Sequence, residues 1–231
     1  TAQPVKLTHP EKVLFPGDGI TKRDLADYWE AVADWALPHL ENRALTLFRC
    51  PDGHGAHCFY QKHVGVGVPE VVPRVTIKED EDPYAMIDSI AALHGLVQIG
   101  VLELHVWGSR AEHLDQPDIV VFDLDPAEDL PWSAVAEGAL VLKERLEALG
   151  LTPFPRLTGG KGLHLVVPVI PGPSFAAIKR FSRAVVNELV RSAPKRYVAT
   201  MSKSRRGGKV FVDFFRNDRE STAIAAYSPR A

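Results

Sequence analysis

Apolar positions recur at helical spacing in four segments of the chain. After Thr21, the side chains of Leu25, Tyr28 and Val32 fall on one helical face, and Thr21 is a suitable N-cap for that helix. Pro38 is expected to end it. Three more segments carry the same pattern, and we predict helices over 88–99, 131–149 and 174–192.

Shorter apolar runs between these helices predict strands. They cover 43–50, 71–77, 119–123, 163–170 and 209–215. Strands and helices mixed in this way indicate an α+β (mixed α/β) fold. Since no linker or repeat is visible, we expect one catalytic domain over residues 1–231, with residues 1–60 as a candidate amino-terminal sub-lobe.

Composition narrows the class of protein. With 45% hydrophobic and 24% charged residues, the chain is expected to be globular and not disordered or fibrous. Its longest apolar run is too short for a membrane span, and residues 1–6 lack the apolar stretch of a signal peptide. Cys50 and Cys58 alone do not make a disulfide framework. These features predict a protein of a reducing cytoplasm that has no membrane partner.

Charge is unevenly distributed although the net charge is only −2. Between Arg191 and Arg219 the chain carries nine Lys and Arg against two acidic residues, while residues 79–82 are all acidic. A basic strip on a nearly neutral protein favours an interaction with phosphates on one side of the molecule.

Three carboxylates stand in apolar strands. Asp123 and Asp125 end the run IVVFDLD, and an i, i+2 spacing places both on one face of a strand. Asp213 lies within VFVDFF. Since like charges in a half-buried place need a cation, and hard cations prefer oxygen ligands, this pattern indicates Mg²⁺ or Mn²⁺. Two ions held in this way are typical of phosphoryl and nucleotidyl transfer. The alternative is capping of strand ends by surface carboxylates.

A glycine-rich segment, TGGKGLH over 158–164, precedes another strand. Glycines allow backbone N–H groups to approach an anion, and Lys161 adds a charge. The segment does not have the spacing of a Walker A loop and leads into a strand. A simple turn, with His164 as an ordinary strand histidine, is the alternative.

Other candidate residues are less specific. Cys50, His54, His57 and Cys58 are zinc-ligand types, but their spacing matches no common site, so zinc is not expected. Lys12 and Lys22 flank a short turn and could meet across it to bind an anion, or could form a solvated face. The sequence places basic Arg49 and Lys62 near three aromatic residues, Phe48, Phe59 and Tyr60. These aromatic rings could stack on bases or belong to the core.

The order of these motifs resembles a known family. FDLDP over 122–126, TGGKGLH over 158–164 and KVFVDF over 209–214 are similar to the three motifs of the archaeo-eukaryotic primase superfamily. The resemblance is to the polymerase domain of bacterial ATP-dependent DNA ligase D and its stand-alone primase-polymerase relatives. It extends over essentially the whole chain, and implies mainly antiparallel central sheets flanked by helices.

The resemblance implies a role for each matching residue. Asp123, Asp125 and Asp213 would be the catalytic metal ligands. The implied nucleotide-binding residues are His105, Thr158, Lys161, Gly162, His164, Arg206 and Arg230. Lys12 and Lys22 would bind the 5′-phosphate of a gap or break, and Arg49 with Phe59 or Tyr60 would contact the template.

The implied function is template-dependent DNA or RNA polymerisation. It would fill gaps and extend 3′ ends in bacterial non-homologous end joining or gap repair, with two Mn²⁺ or Mg²⁺ ions and NTP or dNTP substrates, ribonucleotides being preferred. Expected partners are gapped or broken DNA with a 5′-phosphate, the Ku protein, and an ATP-dependent ligase module, fused or recruited. The expected location is the bacterial cytoplasm, at the nucleoid.

Three features depart from the family pattern. Thr158 replaces the usual Ser but keeps the hydroxyl. The acidic residues 79–82 lie near a loop that in relatives helps to hold two DNA ends together, which puts end synapsis in doubt. The sequence stops at Ala231, where relatives continue, so the carboxyl-terminal end of the family domain is expected to be missing.

Two other functions remain open from the residues. An aspartyl-phosphate phosphatase also has Asp-x-Asp after an apolar strand, but it normally carries Thr or Val where this chain has Ala127. A DNA-end-binding module without catalysis could keep the same fold. Activity without a template would favour the first, and metal-independent binding without turnover the second.

Overall fold

The structure is a computed structural model that describes residues 5–78 and 80–231. Residues 1–4 and Glu79 lie outside the described residues. The first four belong to the segment in which no signal peptide is expected, and Glu79 belongs to the acidic run over 79–82. The chain divides into two compact units. The first contains Thr1–Glu112 and Ile224–Ala231, and the second contains His113–Ala223. The first unit therefore extends well beyond the sub-lobe expected over 1–60.

The first unit holds two helices and most of the short strands. The elements in chain order are β1 (Val13–Phe15), β2 (Ile20–Thr21), α1 (Lys22–Leu40), β3 (Leu45–Arg49), β4 (Phe59–Gln61), β5 (Arg74–Val75), β6 (Tyr84–Ala85), α2 (Ile90–Gln98) and β7 (Val101–Trp107). β1 and β2 form an antiparallel hairpin, and β7 pairs along the length of β3. Apolar side chains of α1, α2, β3 and β7 form one core.

Helix α1 begins as the sequence predicts but ends later. The Thr21 hydroxyl accepts a hydrogen bond from the Asp24 N–H, and the Asp24 carboxylate accepts one from the Thr21 N–H, which completes a capping box. Pro38 lies inside the last turn instead of ending the helix. A proline there removes a single backbone donor, and the Glu41 N–H still donates to the Leu37 carbonyl.

The second unit is a sheet with two long helices. Its elements are β8 (Ile119–Pro126), α3 (Trp132–Ala148), β9 (Phe154–Leu157), β10 (Leu163–Pro168), α4 (Phe175–Ser192), β11 (Tyr197–Val198) and β12 (Val210–Asp213). The strand order is β11-β12-β8-β10-β9, with antiparallel pairs except for β11 and β12. A last strand, β13 (Thr222–Ile224), belongs to the sheet of β7 and β3.

Strand alternation gives the second sheet one apolar and one polar face. Val120, Phe122 and Leu124 of β8 join the core that also contains side chains of α3 and α4. Asp123 and Asp125 alternate with them and therefore lie on the opposite face. The predicted α+β fold with mainly antiparallel sheets and flanking helices is confirmed.

Some local predictions were wrong. The strand expected over 71–77 is reduced to Arg74–Val75, because Pro73 interrupts strand pairing. Val101–Trp107 is a central strand for which the sequence pattern predicts no element. It is buried almost throughout, so its burial lacks the alternation that marks a half-buried strand. Cys50 and Cys58, not expected to pair, form a disulfide, because the loop between them turns back and brings their Cα atoms to 4.3 Å.

The helices of the described residues are too short or too polar to cross a bilayer.

Candidate active site

Three carboxylates meet on the polar face of the second unit's sheet. β8 and β12 run antiparallel, with Asp123 directly opposite Asp213. Asp125 follows two residues later on the same face of β8, opposite Phe211. The side chains that the sequence placed on two separate strands thus form one cluster.

Burial and mutual repulsion make the three carboxyl groups unequal. Burial, with the neighbouring charge of Asp123, raises the pKa of Asp125 to about 6. Burial also raises the pKa of Asp213, although its carboxylate accepts a hydrogen bond of 2.6 Å from the Phe215 N–H. The site thus concentrates negative charge where water cannot fully solvate it, which favours a cation.

Asp123 is held in the ionised state by its neighbours. Burial opposes its ionisation, but the hydrogen bond from His164 and the charge of Arg216 outweigh burial, so that its pKa lies below the usual value. His164 Nε2 lies 3.3 Å from Asp123 Oδ1, and Arg156 donates to His164 Nδ1 over 2.8 Å. Because an arginine can only donate, Nδ1 is the acceptor and the proton of a neutral His164 is on Nε2, facing Asp123. Burial lowers the pKa of His164 in agreement with this form.

Arg216 completes the cluster. Its Nε lies 3.6 Å from Oδ2 of Asp123 and 3.6 Å from Oδ2 of Asp213. It belongs to a 3₁₀ turn, Phe215–Asn217, that buried Asn217 ties to β8. The Asn217 amide accepts from the Val121 N–H and donates to the Val121 carbonyl, each over 2.7 Å.

The glycine-rich loop passes directly over Asp125. A Cβ on Gly162 would lie 2.6 Å from Asp125 Oδ1 and 3.0 Å from the Leu124 carbonyl oxygen, so only glycine fits there. The Thr158 hydroxyl donates to the Gly162 carbonyl over 3.0 Å and closes the loop. Lys161 is exposed at its tip. The loop thus presents a cation and backbone groups beside the carboxylates.

Arg206 stands on the same side of the sheet. Its guanidinium lies 3.7 Å from the centre of the Phe211 ring, opposite Asp125 on β12. It donates to the carbonyls of Thr200 and Met201 over 3.2 and 2.9 Å. Its charge lowers the pKa values of Asp125 and Asp213, against the larger effect of burial.

The donor set fits a hard divalent cation. Asp123, Asp125 and Asp213 supply carboxylate oxygens, the ligands preferred by Mg²⁺ and Mn²⁺. The space left by the missing side chain of Gly162 adjoins Asp125. In this structure the Arg216 guanidinium supplies positive charge to the carboxylates. Among residues 5–78 and 80–231, no three His, Cys, Asp or Glu side chains are arranged to hold one metal ion.

The two predicted phosphate-binding lysines lie together in the first unit. The Lys22 N–H donates to the Lys12 carbonyl over 2.8 Å, across the β1–β2 hairpin. The Lys12 ammonium pairs with Asp52 at 2.9 Å. Lys22 is buried, its ammonium donates to the carbonyls of Thr8 and Gln98, and burial together with Lys12 lowers its pKa.

The predicted template-contacting residues all belong to the β3–β4 pair, but on two faces. Arg49 lies opposite Phe59, whereas Tyr60 lies opposite Phe48 and therefore on the other face of the sheet. Arg49 donates to Gln61 Oε1 over 2.8 Å and lies 5.5 Å from the centre of the Phe59 ring. Tyr60 is exposed, and its ring centre lies 4.8 Å from that of Phe48, with the rings tilted by 50°, and 5.4 Å from that of His105. The half-buried Phe59 ring beside the Arg49 guanidinium and the exposed Tyr60 ring could each stack on a base, and their role as template contacts stays a prediction.

A buried glutamate organises the remaining two predicted residues. His105 Nε2 lies 2.8 Å from Glu103 Oε2, and Arg230 Nη1 lies 3.5 Å from the same oxygen. Glu103 is 2% exposed. Burial alone would raise the pKa of Glu103, but hydrogen bonds from His105 and the Ala231 N–H lower that pKa below its ordinary value. His105 and Arg230 are thus held in the first unit, and their role as nucleotide contacts stays a prediction.

A family model described as "LigD, primase-polymerase domain" matches residues 21–231. The chain belongs to the LigD primase-polymerase domain family.

Named relatives agree with this assignment. This member of the LigD family is 37% identical over 229 residues to the multifunctional non-homologous end joining protein LigD of Pseudomonas aeruginosa. The match covers 98% of this chain and 27% of that protein. The corresponding protein of Mycolicibacterium smegmatis is 36% identical, with 98% and 30% covered. The chain thus spans about three tenths of the length of these relatives.

A solved structure shows the same fold. It is the polymerase domain from Mycobacterium tuberculosis ligase D in complex with DNA, with a TM-score of 0.93 and 34% identity. The match covers 99% of this chain and 83% of that one.

Sequence reasoning missed four residues of this LigD domain's site, one of which is Arg156, the donor to His164 Nδ1. Arg216 contacts two carboxylates, Asn217 anchors the turn that carries Arg216, and Glu103 binds His105. The i, i+3 spacing of Asp213 and Arg216 could have suggested their ion pair. No sequence signal indicates which strand Asn217 contacts.

Proposed function

We propose that the chain is a template-dependent nucleotidyltransferase that extends 3′ ends and fills gaps in DNA. The proposal rests above all on the cluster of Asp123, Asp125 and Asp213 beneath the Gly162 loop. Membership of the LigD primase-polymerase family supports it. The solved relative in complex with DNA supports DNA as the partner.

Asp123, Asp125 and Asp213 would hold two divalent cations, Mn²⁺ or Mg²⁺. Bound cations would supply activation of a primer 3′-hydroxyl and neutralisation of the triphosphate. The protein's own part is positioning: ionised Asp123 is fixed by His164, whose orientation is fixed in turn by Arg156. Lys161 at the loop tip and Arg206 beside Asp125 offer positive charge to the phosphates of an incoming nucleotide.

The finer assignment follows the family. We propose ribonucleotides as the preferred substrate, a gap or break with a 5′-phosphate as the preferred DNA, and non-homologous end joining as the context. The relatives' name supports the last point. Ku and a ligase module, fused or recruited, are the proposed protein partners.

Primer extension across a short gap tests the function. The reaction is run with Mn²⁺ and with Mg²⁺, and with NTPs and dNTPs separately, on gaps with and without a 5′-phosphate. We expect templated addition that Asp125→Ala abolishes while DNA binding persists. Addition without a template, or near-normal extension by Asp125→Ala, would contradict the proposal. Faster addition of dNTPs than of NTPs would contradict only the ribonucleotide preference.

A further inference from the structure

A basic groove lies along helix α4, and none of the three clustered carboxylates lines it. It has a volume of about 650 Å³ and is lined by Lys179, Arg180, Arg183 and Asn187 on one side and by Phe215 and Asp218 on the other. Lys179 and Arg180 precede Arg183 by four and three residues, and Asn187 follows it by four, so the four side chains form one stripe on the helix surface. The groove belongs entirely to the second unit.

The positive charge of this groove is only partly neutralised. Lys179 forms an ion pair with Asp218. Arg180 and Arg183 are exposed, and neither forms an ion pair or hydrogen bond with a residue that the structure describes. Two arginines at i, i+3 repel one another. An anion in the groove would relieve that repulsion.

Several other arginines of the same unit are paired. Arg145 binds Glu188, Arg196 binds Glu137, and Arg219 binds Asp115. Arg191 and Arg205 are also exposed and form no ion pair with a described residue, but neither lines the groove. Arg180 and Arg183 differ from them because they converge on one groove.

Aromatic rings form the opposite wall. Phe214 and Phe215 stack with their ring centres 4.4 Å apart, and Phe215 is only partly buried. Guanidinium groups beside an accessible ring are the combination that binds unpaired nucleic acid, because phosphates meet the cations while bases stack on the ring. An acidic peptide would use the cations but not the ring.

The groove also adjoins the carboxylate cluster through one turn of the chain. Phe215 lines the groove, and the next residue, Arg216, contacts Asp123 and Asp213. A strand lying in the groove would therefore contact the turn that places Arg216 in the cluster.

We propose that the α4 groove binds a single-stranded segment of nucleic acid, with its phosphates on Arg180 and Arg183 and a base against Phe215. This inference rests on the proposed function, because an enzyme with that function acts on DNA that includes an unpaired strand. It adds a binding surface separate from the residues predicted to contact the template.

Binding of a fluorescent oligothymidylate, measured by anisotropy over a range of salt concentrations, tests the proposal. We expect the double variant Arg180→Gln, Arg183→Gln to weaken binding about tenfold. Since each phosphate contact on a single strand contributes about 0.7 to the salt slope, the slope should fall by about 1.4. Arg191→Gln is the matched control, because Arg191 is exposed on the same helix but does not line the groove.

A second probe separates nucleic acid from other polyanions. The wild type should prefer the oligothymidylate to an abasic oligomer of equal length, and Phe215→Leu should reduce that preference. Equal binding of the oligothymidylate by the wild type and the double variant would overturn the proposal that the groove binds nucleic acid. So would an equal loss in Arg191→Gln, or displacement by polyglutamate as strong as by the oligothymidylate. If the wild type extends primers but the double variant binds the oligothymidylate normally, only the proposed role of the groove is contradicted. If the wild type extends nothing, the proposed function fails.

Discussion

At the residue scale, the site depends on one close approach. The Gly162 backbone lies so near Asp125 that a Cβ would come within 2.6 Å of its carboxylate. The loop and the carboxylate must therefore move apart if any side chain is added. Catalytic geometry tolerates little such movement, because about 1 Å of misplacement costs about 10²-fold in rate.

We predict that Gly162→Ala lowers the kcat/KM of primer extension about 10²-fold with little loss of stability. Gly160→Ala is the control, since its Cβ would have only Thr158 Oγ1 within 4 Å, at 3.8 Å. Steady-state extension assays and thermal unfolding of both variants check this. Equal activities of the two variants would show that the approach to Asp125 is unimportant.

Asp125 also predicts a pH dependence of stability. Its pKa is about 6 in the folded chain, above the ordinary value of 3.8, so the folded state binds the proton more tightly than the unfolded state. Stability from this group is greatest below pH 4 and is lost as the pH rises through 6. Asp125→Asn removes that loss.

In the presence of a chelator, Asp125→Asn should therefore raise the melting temperature relative to the wild type at pH 8, by about half as much at pH 5, and not at all near pH 3. Allowing for the partial exposure of Asp125, we expect a difference of about 1 kcal/mol, or about 2–4 °C. Asp27→Asn, at an exposed position of α1, should show no such dependence. An equal effect of Asp125→Asn at pH 8 and near pH 3 would contradict the raised pKa.

At the element scale, the Cys50–Cys58 disulfide ties the end of β3 to the start of β4. The loop between them carries Asp52, the partner of Lys12, and its Gly53 approaches the Val13 carbonyl so closely that a Cβ would lie 2.8 Å away. The crosslink therefore limits the freedom of a loop on which the Lys12 side chain depends.

We predict that reduction destabilises the chain by about 2–3 kcal/mol, from the closure entropy of a loop of this length. Denaturant unfolding with and without dithiothreitol measures the effect. The variant Cys50→Ala, Cys58→Ala should be insensitive to the reductant. A wild type that is equally stable in both conditions would show that the disulfide contributes nothing.

The elements also show what a sequence can reveal. The spacing of Asp123 and Asp125 fixes their common face, because strand alternation is local. Thr21 caps its helix through a neighbour three residues away. The contact of Asn217 with Val121, the burial of Glu103 and the pairing of Cys50 with Cys58 depend on chain segments meeting in three dimensions. No local pattern contains that information.

At the scale of the whole molecule, two cores divide the predicted tasks. The lysines for a 5′-phosphate belong to the first unit, and the carboxylates belong to the second. A change at an exposed lysine of the first unit leaves the core of the second untouched. Recognition of the DNA end and the chemistry should therefore be separable by mutation.

We predict that Lys12→Gln reduces the preference for a 5′-phosphorylated gap about tenfold, the effect of a lost charged hydrogen bond. Extension of a simple primer-template should change little. Lys12 is preferable to buried Lys22, whose replacement would leave two carbonyls without a donor. Lys6→Gln, at an exposed position, is the control. Equal losses on both DNA substrates would contradict the separation of tasks.

The course of the chain between the units has a mechanical consequence. The chain leaves the first unit after Glu112 and returns to it at Ile224, so the second unit is an insertion. Tension applied at residues 5 and 231 enters the strands of the first unit at both points. The inserted unit carries tension only after those strands separate. Under a pulling force, the carboxylate cluster is thus loaded after those strands of the first unit.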